Sequence, residues 1–302
     1  MSVRNLIAVV GPTAVGKTSL AIRLAEHYKT EIVSADARQV YRELGIGTAK
    51  PTEDELRMIR HHFINHKSIK EDYTAGTYGQ EARAVMDQLF ASHKQVVLCG
   101  GSGLYIKAVL EGFDNLPQVD PEIRHSIIED FDTRGLSWLQ QEVQKNDPDY
   151  FETVDRQNPQ RLMRALEIIL GTGQTFSGFH KKEKIDLPYD VVKIGLYMER
   201  EKLYKAIDRR MDVMIENGLF AEAESFFTVR HLNALQTVGY QEAFGFFEGL
   251  HNKEEAVRLM KRNSRRYAKR QLTWFRKDKE IQWYHPEDFE QILKMLNEKL
   301  DN

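Results

Sequence analysis

The sequence predicts an α/β fold, a mostly parallel sheet with helices on both faces, plus an inserted all-helical domain. Three observations carry this. Leu6, Ile7, Ala8, Val9 and Val10 form an unbroken apolar run, as a strand buried on both faces requires. Short apolar runs recur along the chain with helical patterns between them, the mark of strand–helix–strand units. The stretch 116–189, by contrast, has helical patterns and helix punctuation but no good strand. With 302 residues the chain exceeds what one core usually supports. The expected division is an α/β core of 1–115 and 190–302, interrupted by the insertion 116–189.

The elements follow in order. After the first strand, Leu20, Ala21, Leu24, Ala25 and Tyr28 repeat at helical spacing. Glu31 to Ala35 reads as a second strand. Val96 to Cys99, closed by Gly100-Gly101, reads as a third, Val191 to Met198 as a fourth and Ile281 to Tyr284 as a last. In the insertion, Pro117, Pro121, Pro148, Pro159, Gly171 and Gly173 punctuate helices.

Composition narrows the class. Apolar residues at 41% and charged residues at 29% exclude disorder along the whole chain. No apolar run approaches the roughly 18 residues of a spanning helix, so no membrane partner is expected. Cys99 is the single cysteine, which excludes an intrachain disulfide and a cysteine-built zinc site; a reducing, cytoplasmic setting is expected. The net charge of −2 means that a nucleic-acid partner would need a local basic patch.

Gly11-Pro12-Thr13-Ala14-Val15-Gly16-Lys17-Thr18 fits the phosphate-loop pattern G-x-x-x-x-G-K-[ST], with a strand before it and a helix after it. The core is therefore expected to resemble the P-loop NTPases. The glycines let successive N–H groups turn toward phosphate oxygens, Lys17 adds a point charge and Thr18 can ligate Mg²⁺. Nucleotide-hydrolysing enzymes normally place an acid at the end of a core strand, yet the third strand ends in Cys99-Gly100-Gly101. The candidate carboxylate is Asp36, just past the second strand, where strand ends line the ligand crevice. A turn or N-cap aspartate is the plainer reading of the same residue. Likewise Ser102, in Gly100-Gly101-Ser102-Gly103, suits either a helix cap or ligand contact.

Together these residues resemble the tRNA dimethylallyltransferases, also called tRNA isopentenyltransferases, of the bacterial type. The matching stretches are GPTAVGKT (11–18), SADARQVYRELGIGTAKP (34–51), HHF (61–63), GGSGLY (100–105), NPQRLMRALEI (158–168), VGYQEA (238–243) and YAKRQLTWFR (267–276). Ala37 departs from the serine common in the family, and Ser102 stands where threonine is frequent. The resemblance implies transfer of a dimethylallyl group from dimethylallyl diphosphate to the exocyclic amine of the adenine immediately 3′ of a tRNA anticodon. The loop, residues 11–18, would then hold a departing diphosphate with Mg²⁺. It implies catalytic roles for Asp36, Lys17, Thr18 and Arg210, the last being otherwise a plain helix-surface charge. Asp36 would take a proton from, or hydrogen-bond, the attacking amine.

Two further patches point to RNA. Residues 258–279 carry ten Lys or Arg against one acid, Asp278. On a helix, Arg258, Arg262, Arg265, Lys269 and Arg276 fall on one side and Met260, Tyr267 and Trp274 on the other. A solvated amphipathic helix is the plainer reading; the nearly one-signed charge favours a polyanion, with Arg262, Arg265 and Arg266 as contacts. In the second patch, Asn158-Pro159 opens a helix that leaves Arg161 and Arg164 outside a core of Leu162, Ala165, Leu166 and Ile169. The resemblance adds Gln160, Leu162 and Met163 there, Asp36, Ala37, Arg38 and Gln39, and Ser102 and Arg124 as tRNA contacts. His61 and His62 read as structural. The expected partners are the anticodon stem-loop of tRNA and dimethylallyl diphosphate, acted on by a monomer. A small-molecule kinase and a nucleotide-gated RNA-binding protein without chemistry are the competing functions.

Overall fold

The computed structural model describes residues 4–113, 116–179 and 185–300. The chain divides into two compact units, 1–110 with 186–302, and 111–185. The expected limit at Asn115 lies outside the described residues.

The first unit alternates strands and helices: β1 Asn5–Val10, α1 Lys17–Tyr28, β2 Ile32–Ser34, α2 Glu53–Met58, β3 His61–His62, α3 Ala75–Leu89, β4 Gln95–Gly100 and α4 Gly103–Leu110. The second unit follows with α5 Pro121–Asn146, α6 Pro148–Thr153, α7 Pro159–Thr172 and α8 Phe176–Phe179. The first then resumes as β5 Asp190–Leu196, α9 Arg200–Glu216, α10 Leu219–Ser225, α11 Tyr240–Phe247, α12 Lys253–Phe275, β6 Gln282–Tyr284 and α13 Phe289–Leu300. The six strands form one sheet in the order β3-β2-β4-β1-β5-β6, with every pairing parallel.

The pleat explains the apolar run of β1. Leu6, Ala8 and Val10 pack into one core, with Tyr78, Met86, Tyr105, Val109 and Met260. Ile7 and Val9 pack into another, with Leu20, Leu24, Ile194, Ile207 and Ile292. All six residues of β1 are buried, so no position alternates to a polar residue facing solvent. The sequence reading missed β3. A two-residue edge strand has no room for a period, and its residues are histidines; His62 is held by Glu31 across 2.6 Å.

The second unit has its own core, of Ile127, Trp138, Leu139, Val143, Leu162, Leu166 and Ile169 among others. Gly135 breaks the helical path of α5 at φ 74°, a conformation open to glycine. Asn158 caps α7 by accepting the Arg161 amide, with Pro159 in the first turn. Leu162, expected in this core, and Met163 are both buried in it, 0% and 4% exposed, so neither side chain stands at the surface for the RNA contact that the resemblance implies.

Parallel order puts the ends of β2, β4 and β1 side by side, and one glycine sets their spacing. A Cβ on Gly100 would collide with the Ala35 carbonyl oxygen and stand 2.5 Å from its carbon. Both are backbone atoms that no rotamer change can move aside. Gly100→Ala is therefore expected to lower stability by about 1–3 kcal/mol, as overpacked sites do. The urea midpoint checks this; an unchanged midpoint would show that the strands can separate freely.

Candidate active site

The loop after β1 turns through left-handed backbone at Gly11 (φ 147°), Ala14 (64°) and Gly16 (99°), and α1 starts at Lys17. Gly11 has a second constraint, because a Cβ there would stand 2.8 Å from the Leu196 carbonyl oxygen at the end of β5. The start of α1 thus points its free N–H groups at the space above the sheet, where an anion is favoured.

That space is a cleft of about 440 Å³. It is lined by Thr13 to Thr18, Asp36 to Gln39, Gly100 to Ser102, Arg210, Tyr267 and Gln271, among others. The structure thereby brings the phosphate loop, Asp36, Ser102 and Arg210 together. Arg210 is not a plain surface charge. In the run Asp208-Arg209-Arg210 the helix turns successive residues different ways: Asp208 meets Arg265, Arg209 is exposed and Arg210 enters the cleft, where it donates to the Thr13 hydroxyl.

Lys17 Nζ donates to the Pro12 carbonyl at 2.7 Å. Burial pushes its pKa down to about 8, opposed by the nearby Cys99 and Asp36 and reinforced by Arg210. Burial also lowers the Arg210 guanidinium from its ordinary value, and Asp36 pulls it back up. Asp36 thus favours the charged form of both cations against the cost of burial.

Asp36 makes the contacts of the turn reading. Its Oδ1 accepts the backbone amides of Arg38 (2.8 Å) and Gln39 (3.2 Å), which is the turn role. Among the described residues no hydrogen bond reaches Oδ2, so one oxygen remains for chemistry. The Ser102 hydroxyl accepts the Ala37 amide at 2.9 Å and also bonds Tyr267, whose phenol burial pushes up to about 12. Tyr267 therefore stays protonated at neutral pH and can donate.

Arg38 and Gln39 brace the site. Arg38 donates to the Asn233 carbonyl at 2.9 Å, and Gln39 donates to those of Thr48 and Ala49 at 3.2 and 2.9 Å. Two supporting residues escaped the sequence reading. Glu222 accepts the amides of Gly45, Ile46 and Gly47 and the Tyr240 hydroxyl, pinning the turn that follows Gln39. Gln271 bridges the phosphate loop and the Gly100-Gly101 turn. Neither carries a local signal, since the loop backbone groups each one holds lie far away in sequence.

On α12 the helix faces differ from expectation. The buried side is Ala256, Met260, Ser264, Ala268, Gln271 and Phe275. Tyr267 and Trp274, expected beside Met260, are 36% and 37% exposed, and Tyr267 lines the cleft. Each seven-residue step drifts by only about 20°, so Tyr267 and Trp274 lie at the edge of the buried face that centres on Met260, Ser264 and Gln271. Several of the cations also find acidic partners, on α9 and in the first turn of α12 itself. Arg265 pairs with Asp208 at 2.5 Å, Lys261 with Asp212 at 2.5 Å and Arg258 with Glu255 at 2.6 Å. Arg262 is half-buried beside Asn263 at 3.2 Å. Arg266, Lys269 and Arg270 are exposed, with no ion pair among the described residues. In the second unit Arg124 and Arg164 grip the buried Glu167 at 2.9 and 2.7 Å, Gln160 accepts from Arg124, and Arg161 is exposed.

Comparison with known proteins agrees with this arrangement. Residues 39–278 match the family described as IPP transferase. The tRNA dimethylallyltransferase of Cytophaga hutchinsonii is 49% identical over 98% of each chain, and that of Christiangramia forsetii 48% over 98% of each. Among solved structures, the tRNA isopentenylpyrophosphate transferase of Bacillus halodurans superposes with a TM-score of 0.73 at 36% identity, over 99% of this chain and 97% of its own. A eukaryotic dimethylallyltransferase acting on tRNA gives 0.79 at 25% identity, over 99% of this chain and 79% of its own. By its phosphate loop, its cleft and its sequence, the chain belongs to the IPP transferase family.

Proposed function

We propose that this chain transfers the dimethylallyl group of dimethylallyl diphosphate to the N6 amine of the adenosine immediately 3′ of a tRNA anticodon. The observation that carries this is the shared cleft: a phosphate cradle with two cations faces a carboxylate that keeps one oxygen free.

The chemistry follows from that placement. The amine nitrogen attacks the allylic carbon as the carbon–oxygen bond breaks, and the electron pair leaves with the diphosphate. An adenine amine is a weak nucleophile, so the proton it sheds needs an acceptor, which Asp36 Oδ2 provides. Lys17, Arg210 and the amides at the start of α1 meet the charge growing on the diphosphate. Thr18 also lines the cleft. Its hydroxyl is a hard oxygen donor suited to Mg²⁺, with substrate oxygens and water completing the shell. When bound, the ion would add positive charge against the leaving group.

RNA would reach the cleft as a single-stranded loop, from which a base is extracted at small cost. The exposed Arg266, Lys269 and Arg270 of α12 suit its phosphates. Arg161, Ser102 and the turn at Asp36 to Gln39 remain proposed contacts. A monomer in the cytoplasm is the setting proposed for this reaction.

Mass spectrometry of tRNA incubated with the enzyme, Mg²⁺ and donor tests the function directly. A mass gain of one dimethylallyl group on that adenosine is expected. Asp36→Asn should slow it about 10²–10⁴-fold, the usual share of a general base, with diphosphate affinity little changed. A loss under threefold would assign Asp36 to the turn alone.

Lys17 sets a pH dependence. A lysine whose folded pKa is about 8 is charged below that value and neutral above it. Diphosphate needs the charged form, so affinity should fall as pH rises through about 8, with one proton taken up on binding above it. Calorimetry in two buffers of different ionisation enthalpy at alkaline pH reads that proton. Lys17→Arg should abolish the uptake, since arginine stays charged.

For RNA, Arg266, Lys269 and Arg270 replaced together by Gln should flatten the plot of log affinity against log salt by about two to three units, at roughly 0.7–0.9 per phosphate. Arg265→Gln should instead lower stability, because it leaves Asp208 unpaired. Equal slopes for the triple variant and wild type would move the RNA surface elsewhere.

A further inference from the structure

Gln271 lies on the inner side of α12 and is 6% exposed. Its Oε1 accepts the Thr13 amide at 2.8 Å, and its Nε2 donates to the Gly101 carbonyl at 2.9 Å. Thr13 belongs to the loop after β1 and Gly101 to the loop after β4, so one side-chain amide ties together two loops from neighbouring strands. Thr13 is also held from the other side, where its hydroxyl accepts from Arg210 of α9.

The glycine records the same contact. A Cβ on Gly101 would collide with Gln271 Nε2, while Lys17 Nζ stands 3.5 Å away. Gly101 is not among the glycines with positive φ, so backbone freedom does not require it there. It leaves the space that Gln271 fills.

We propose that Gln271 is a positioning residue that holds the phosphate loop in its ligand-binding shape before diphosphate arrives. The inference rests on the diphosphate reading of this loop. The position needs an acceptor and a donor on one short planar group, and a primary amide supplies both. Alanine would leave a buried N–H and a buried C=O without partners. Glutamate would keep the acceptor, lose the donor and bring negative charge beside the incoming diphosphate. A loop already held in place gives up less freedom on binding, so affinity for the diphosphate is where the tie should register.

Calorimetric titration of the full chain with inorganic diphosphate and Mg²⁺ tests this, with urea unfolding and tRNA affinity measured beside it. Gln271→Ala should weaken diphosphate about tenfold and Gln271→Glu more, with tRNA affinity within twofold of wild type. Gly101→Ala, which forces the amide aside, should weaken diphosphate by a similar factor. The double variant should be scarcely weaker than either single one, since both break the same tie. An affinity for Gln271→Ala within twofold of wild type would overturn the proposal. So would full multiplication of the two single effects, which would mean independent causes. Should Gln271→Ala fail to fold, Gly101→Ala carries the test with Gln271 in place. Wild-type protein that does not bind diphosphate would instead overturn the reading of the loop itself.

Discussion

The parallel register of β2, β4 and β1 is the constraint on which the cleft depends. Ser34 lies opposite Cys99 and Val9 opposite Cys99 from the other side, so the chain leaves all three strands at nearly one height. Their exits carry Asp36, the Gly100-Gly101-Ser102 turn and the phosphate loop. Backbone bonds lock them further: the Ala35 amide donates to Cys99 and the Ser102 amide to Ala35. A one-residue slip would turn β4 over and exchange the two cores.

Around that edge, the site works by burying positive charge that its surroundings only partly balance. Lys17 and Arg210 are both lowered by burial and both supported by Asp36. Without a ligand the cations stand in a poorly solvated place. An anion with several oxygens relieves that cost, which is how a preorganised site favours developing negative charge.

Helix α12 serves both sides of the problem. Its inner side supplies Gln271 to the loops and Met260 and Phe275 to the core, while Tyr267 and Arg270 line the cleft and Arg266 and Lys269 are exposed away from it. Three of its cations are paired with acids: α9 provides Asp208 and Asp212, and the first turn of α12 provides Glu255. What remains outward is a shorter basic stripe than the composition of the segment implies.

The sequence by itself determined the elements whose signal is local. The buried strand β1, the phosphate loop with its glycines, the cap at Asn158 and the helical insertion all announce themselves within a few residues, because periodicity, backbone conformation and capping act over that range. The candidate residues of the cleft were legible through motif and resemblance, and the turn role of Asp36 was legible as well. Only the tertiary structure decided the rest. It decided the edge strand at His61–His62, too short to show a period, and the true buried side of α12. It turned Met163 inward, and gave Arg265 to Asp208. It also revealed Glu222 and Gln271, whose partners in the site loops are about 170 to 260 residues distant. Such contacts depend on where two remote backbones meet, and no pattern within one segment encodes that meeting.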